Sequence, residues 1–257
     1  LTVFNALRRH PLAMRTRFGH SLVLTYALPP DVLAPLLPPG LALDTYTSPD
    51  GTTHGFVAAG IVSVTQLRPA GLPASLGIAC SLTGYRIFAT FPTPTGRTMR
   101  GLFILRSDTD RWSILVGGNL LTRYHYRRAR LRCRTDGTGL EVTVDSRDGR
   151  ADLTVRADLG SCPAPLPPGS PFADAAAARR FAGPLPYTFD HERRTGSIVV
   201  VKAHRTQWRP VPVTVDVSRS TFFAQEPFSG VRPVLANAFH VADLDYGWHR
   251  GVRRAVR

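Results

Sequence analysis

The chain has 257 residues, 43% of them hydrophobic, and a formal net charge of +14. That is enough apolar material for a full core, and the length suits one large all-β domain as well as two small ones. A run of about 18 apolar residues is missing, which excludes a spanning helix, and the positive charge is almost all arginine, Lys202 being the one lysine.

Abundant Ala, Gly, Pro and Arg together read as GC-rich coding rather than selection for a polyanionic partner. Cys80, Cys133 and Cys162 are far apart and odd in number. They form no CxxC pair and no metal spacing, so a reduced, cytoplasmic protein is expected. The N-terminus lacks the apolar core and cleavage site of a secretory signal. It suits a short amphipathic helix with Val3, Phe4 and Leu7 on one side.

In chain order, "SLVLTYAL" (21–28) reads as a strand stopped by Pro29-Pro30. "GFVAAGIVSVTQL" (55–67) reads as a long apolar strand that Gly60 bends. "TGYRIFATF" (83–91) follows, and "RGLFILRSD" (100–108) and "RWSILVGGNLL" (111–121) read as two strands flanking a tight turn at Thr109-Asp110. The stretch "RYHYRRARLRCR" (123–134) holds six arginines in twelve residues. In its second half Arg128, Arg130, Arg132 and Arg134 alternate with Ala129, Leu131 and Cys133. Period two places these arginines on one strand face. "LEVTVDS" and "ADLTVRA" repeat the alternation after the turns "TDGTG" and "RDG", so Glu141, Asp145 and Asp152 are expected opposite the arginines. The ladder Arg128–Arg134 is therefore expected to be a solvated sheet face, with polyanion binding the least favoured alternative.

Farther on, a proline-rich loop leads to a helix over "FADAAAARRF" with Ser170 as N-cap and Pro171 at the first position. "GPLPYTFD" and "HERRTG" are turn-rich, "SIVVVKAHRTQW" and "VPVTVDVSRS" read as strands, "RPVLANAF" as a short helix, and "GVRRAVR" as a loose tail. At least ten strands, few helices and many hairpin turns imply a mainly β, mostly antiparallel protein whose sheet curls or closes to protect its edges. A single domain over 1–257 is expected.

The eight histidines, His10, His20, His54, His125, His191, His204, His240 and His249, form no HxH or HExxH. No metal and no cofactor is expected. GxSxG, Walker and GxGxxG signatures are missing too. "GGNLLTRYHYRRA" places Asn119, Arg123, Tyr124, His125 and Tyr126 within eight residues after an apolar segment. Such groups at a strand end suit the mouth of a pocket. On an extended strand Tyr124 and Tyr126 share one face and His125 points the other way, so the tyrosines or the histidine can face a cavity, not all three. Lys202 and His204 share a strand face, which alternation turns toward water if Val199, Val201 and Ala203 face the core.

"HSLVLTYALPPDVLAPLLPPGLALDTY" (20–46), with its "LLPPGL", resembles the acetoacetate decarboxylase-like superfamily, specifically its domain-of-unknown-function family 2071. The likeness continues through "GFVAAGIVSVTQLRPAGLP", "YRIF", "GLFILRSDTDRWSILVGGNLLTRYHYRRARL" and "FAGPLPYTFDHERRTGSIVVVKAHRTQWRPVPV". It implies a strongly bent antiparallel sheet closed into a cone or barrel around a central cavity. The decarboxylase's Schiff-base lysine pair corresponds here to "TRYHYRR", which has no lysine, and its glutamate after a tyrosine corresponds to Ile87 in "YRI". The resemblance thus implies a repurposed pocket without covalent lysine chemistry. Acid/base or electrostatic chemistry of isomerase, lyase or cyclase type is expected, on an organic carboxylate or β-keto substrate. His125, Tyr124 and Arg86 are the expected catalytic groups; Tyr85, Asn119, Arg123 and Tyr126 are the expected substrate-binding groups. The alternative is a non-catalytic binder of a small molecule. A small-molecule partner is expected, with no nucleic acid and no membrane, and self-association is left open.

Overall fold

A computed structural model of the chain describes residues 7–93, 96–161 and 163–256. The amphipathic segment expected at the N-terminus lies mostly outside them, as does Cys162. β1 (Met14–Leu28) runs antiparallel between β4 (Thr53–Pro69) and β14 (Val234–Trp248). β4 pairs with β5 (Ile78–Pro92), and β5 with β6 (Thr98–Thr109). β6 then pairs in parallel with β10 (Tyr187–Glu192), which pairs with β11 (Ser197–Arg205), and β11 returns to β14. The hydrogen-bonded path thus comes back on itself. Its joints at β6–β10 and β11–β14 are short, Tyr187↔Gly101 to Phe189↔Phe103 and Ala203↔Trp248 to Arg205↔Tyr246. The sheet is mixed rather than purely antiparallel.

β6 also starts a second structure. Beyond its contact with β10 it pairs in parallel with β7 (Tyr126–Asp136), from Ser107↔Tyr126 to Thr109↔Arg128. β8 (Gly139–Ser146), β9 (Leu153–Asp158) and β13 (Thr214–Ser220) extend β7 antiparallel. The apolar side of this extension, with Leu140, Val142, Val144, Leu153 and Val155, packs on Leu22, Leu24, Val57, Ile61 and Ile87 in one core. The other faces of β1, β4 and β5 turn inward. Their near-continuous apolar sequences follow, because a strand covered on both faces has no polar alternation to keep.

Several elements differ from the sequence reading. "WSILVGGNLL" is helix α2 (Trp112–Leu121, after the short α1 at Pro30–Leu33), not a strand. A short apolar run does not distinguish the two by periodicity, and here none of its residues is fully buried. "RPVLANAF" opens β14 rather than forming a helix, because β1 offers it a full ladder from Ala27↔Val234 onward. Helix α3 (Ala175–Ala182) starts later than expected: Asp174 is its N-cap, accepting from the Ala177 N–H at 2.6 Å, while the Ser170 hydroxyl donates to Ala236 O. "PYTFD" forms much of β10, and "VRRA" of the tail is β15 (Val252–Ala255), paired with β11. The pairing of β4 with β5 runs unbroken through Gly60↔Gly84, and its register shift lies between Val64 and Leu67.

The arginine tract is partly neutralised. Arg127 pairs with Asp148 at 2.7 Å, Arg132 with Asp145 at 3.8 Å, and Arg128 stacks over Trp112 at 5.7 Å. Asp152 does not face the tract. It is buried, accepting from Ser146 and pairing with Arg219 at 2.6 Å, because the turn before β9 folds it under β13. Cys133 is exposed rather than inward, whereas Leu131 packs against the core.

His240 is buried against His20, with Nδ1 of His20 3.0 Å from its Nε2. Burial, then the neighbouring His20, pushes the His240 pKa down to about 4. An unfolded histidine takes its proton near 6.5. Between that pH and about 4 the unfolded chain therefore binds more protons, so stability is full above the window and falls as pH drops through it. We expect a loss on the order of 1–3 kcal/mol at the acid end. His240→Gln should flatten the fall in Tm between pH 6.5 and 4.5; an unchanged slope would contradict the assignment.

Candidate functional site

The inward faces of the ring enclose a cavity of about 130 Å³. Alternation selects its walls: Ser21 and Val23 on β1, Ala58, Gly60 and Val62 on β4, Arg86 and Phe88 on β5. β6 contributes Leu102, Ile104 and Ser107, and β14 contributes Phe239, Tyr246 and Trp248. Thr83, Tyr124, Tyr126, Thr188, Arg205 and Trp208 add polar groups to the lining. No Asp, Glu, His or Lys lines it among the described residues.

Arg86 is the central charge. Among the described residues its guanidinium has neither a hydrogen bond nor an ion pair. It lies over the backbone of two glycines: a Cβ at Gly60 would come within 2.7 Å of Nη1, and one at Gly84 within 3.3 Å of Nη2. Glycine at 60 therefore makes room for a cation. The second arginine, Arg205, donates to Pro184 O at 2.9 Å and Leu185 O at 3.4 Å and stacks on Trp208 at 5.2 Å. Its fork is largely occupied.

Three buried donors on the wall lack a partner in the protein: the Tyr124 hydroxyl, Thr83 Oγ1 and Trp208 Nε1. Thr188 stands near Tyr124 on the wall without completing a hydrogen bond in good geometry. Unpaired buried polar groups are costly and uncommon in native proteins. Burial raises the Tyr124 phenol well above its ordinary range, with Asp190 adding to the rise and Arg86 opposing it. Burial likewise pushes Tyr126 up to about 12, and raises Tyr246 against Arg205 and Arg86. At neutral pH the cavity thus presents a fixed cation and neutral O–H donors.

The structure brings Arg86, Tyr124 and Tyr126 together and places the other expected groups elsewhere. Tyr85 points to the opposite side of β5, as alternation demands, and stacks on Phe222 with ring centroids 3.7 Å apart. His125 (φ 53°) turns into a separate cleft with His191, Asp190 and the prolines of "LLPPG". Tyr124 and Ile104 form the wall between cleft and cavity. Arg123 is tied to the Arg8 carbonyl at 2.9 Å and to Glu192 at 3.5 Å, and its N–H donates to Asp190. Asn119 binds backbone rather than facing the cavity: it accepts from the Tyr126 N–H and donates to the Tyr126 carbonyl, both at 2.9 Å. It completes the ladder that Tyr126 lacks on that side. Gly118 lets the Tyr126 ring lie against α2, where a Cβ would meet it at 2.5 Å. Lys202 is exposed on β11 and does not line the cavity, nor does His204. Arg205, Thr83 and Trp208 were missed. Only Arg205, following His204 on an alternating strand, carried any signal in the sequence.

Residues 15–243 match the model of a family described as an uncharacterized conserved protein, domain-of-unknown-function family 2071. The chain belongs to that family. No curated protein matches it. Solved structures of similar fold include acetoacetate decarboxylase from Legionella pneumophila, at 11% identity and TM-score 0.61 over 95% of this chain and 87% of that one. An acetoacetate decarboxylase-like enzyme from Sphingomonas wittichii RW1 is 15% identical, with TM-score 0.60 over 98% and 96%. The enduracididine biosynthesis enzyme MppR, complexed with pyruvate, is 13% identical, with TM-score 0.61 over 95% and 90%. The chain has the acetoacetate decarboxylase-like fold: mostly β, one large mixed sheet and few short helices. Among the described residues, no group of three or more His, Cys, Asp or Glu side chains is placed to hold a metal.

Two substitutions test this geometry. Gly60→Ala should displace Arg86 and weaken binding of small carboxylates, measured by calorimetry, while stability changes by about 1 kcal/mol or less, since the guanidinium can swing away. Asn119→Leu should instead cost about 1–3 kcal/mol of stability by stranding the Tyr126 backbone groups. Equal Tm values for Asn119→Leu and the parent would remove the ladder role.

Proposed function

We propose that this protein is a small-molecule lyase that binds a β-keto carboxylate in the cavity and stabilises an enolate electrostatically. The observation that carries the reading is Arg86: among the described residues it is an unpaired guanidinium beside orphan O–H and N–H donors, in a lining without carboxylates. Such a site favours a ligand on which negative charge sits or develops. The complex of MppR with pyruvate concerns a different protein of the same fold, and supports the choice of a small oxo acid as first probe.

The lining also narrows the reaction. Isomerisation or cyclisation through proton abstraction requires a base, and among the described residues the cavity is lined by no carboxylate, imidazole or amine. A Schiff base requires an amine, and Lys202, the one lysine, is exposed outside it. Loss of carbon dioxide from a β-keto acid needs neither. The bond between the α-carbon and the carboxylate breaks, carbon dioxide leaves, and the electron pair becomes an enolate whose oxygen faces Arg86. The neutral Tyr124 hydroxyl then donates its proton to the α-carbon, and its phenolate is reprotonated from water. His125 has no role in this scheme.

The test is turnover of a panel of small β-keto acids, followed by carbon dioxide release and by NMR of the product. Arg86→Met should lower kcat/KM about 100-fold or more. Tyr124→Phe should lower kcat by about 100-fold with KM little changed. If the acids bind at the cavity and are recovered unmodified after long incubation, the protein is a binder of such acids and not an enzyme.

A further inference from the structure

Outside the cavity, on the far side of the loop Gly183–Leu185, lies a second recess of about 570 Å³. Arg97 enters it from the hairpin between β5 and β6, Arg100 from the start of β6, and Arg179 and Arg180 from the last turn of α3. Arg100 is satisfied, with Asp44 at 2.7 Å and the Phe181 carbonyl at 3.1 Å. Arg97, Arg179 and Arg180 have no ion-pair partner among the described residues, and no carboxylate lines the recess.

A helix C-terminus attracts basic residues by its dipole, which accounts for Arg179 and Arg180 taken alone. It does not account for Arg97 and Arg100, which come from another element to the same recess. With Arg100 neutralised by Asp44, three guanidinium groups from two elements still line one recess without a counter-ion among the described residues, and guanidinium forks match phosphate oxygens in geometry and charge. The wall of the recess is also informative. Pro184 and Leu185, which line it, present the carbonyls that hold Arg205 inside the cavity.

We propose that the recess formed by Arg97, Arg100, Arg179 and Arg180 is a binding site for a phosphate-bearing anion of two or more negative charges. This stands independently of the reaction assigned to the cavity. The anion is a phosphate group on the cavity's own ligand or a separate phosphate ester, and both use the same contacts.

Pyrophosphate titrated by calorimetry into the full chain at low salt is the first probe. Binding is expected, and the exposed double variant Arg179→Gln/Arg180→Gln should weaken it by about tenfold at an unchanged Tm. Arg86→Met should leave it unaffected. A phosphorylated oxo acid that binds much more tightly than pyrophosphate or the unphosphorylated acid places the phosphate on the cavity ligand; equal affinity for pyrophosphate and the phosphorylated acid makes it a separate anion. The proposal is overturned if pyrophosphate does not bind, or if the double variant binds it as well as the parent. It also fails if a single-stranded oligonucleotide displaces pyrophosphate with a steep dependence on salt, since the arginines would then be a general polyanion surface.

Discussion

β6 is the constraint on which the rest of the molecule depends. One edge is committed to β5 along most of its length. The other is divided: Gly101–Phe103 pair with β10, and Ser107–Thr109 with β7. The first pairing completes the ring around the cavity, and the second starts the sheet that covers the ring from outside. At the division Arg106 is buried and held by Asp108 and Asp148 at 2.7 and 2.8 Å. Removing Arg106 would strand the fully buried Asp108 without solvent. The "RYH" segment enters at the same division, which is how Tyr124 comes to stand in the wall between cavity and cleft.

The cavity's chemistry follows from what burial does to each group. Phenols are driven toward their neutral form because an isolated buried phenolate is costly. Arginine keeps its charge under the same conditions. A pocket built from tyrosine, threonine, tryptophan and arginine therefore supplies donors and a cation but no base. That division suits stabilising negative charge and does not suit creating it by proton abstraction. Solved relatives share the sheet, yet identities of 11–15% carry no residue roles across to this chain.

Much of the sheet was readable from period-two alternation, as in β8 and β9, where one face packs and the other is wet. The readings that failed concern segments whose local pattern does not choose a structure. "WSILVGGNLL" is apolar without a stripe, and it becomes a helix because Asn119 and Gly118 fit it against Tyr126. "RPVLANAF" has helix-forming residues, but the ladder offered by β1 outweighs that weak propensity.

For the site, the sequence alone determined that no lysine was available where a decarboxylase-like pocket would need one, which follows from composition and which no packing can alter. Tyr124 and His125 precede β7, and the left-handed backbone at His125 (φ 53°), rather than strand alternation, sets where their side chains go. Which face looks inward was decided only by the tertiary structure, because alternation is symmetric until one side is covered. Closure of the ring puts the tyrosines and Arg86 inside, and the covering sheet takes Tyr85 on the other side. Gly60, read from sequence as a bend, is the space for a guanidinium from the neighbouring strand. That role depends on the register of β4 against β5, a long-range pairing that a local pattern does not encode.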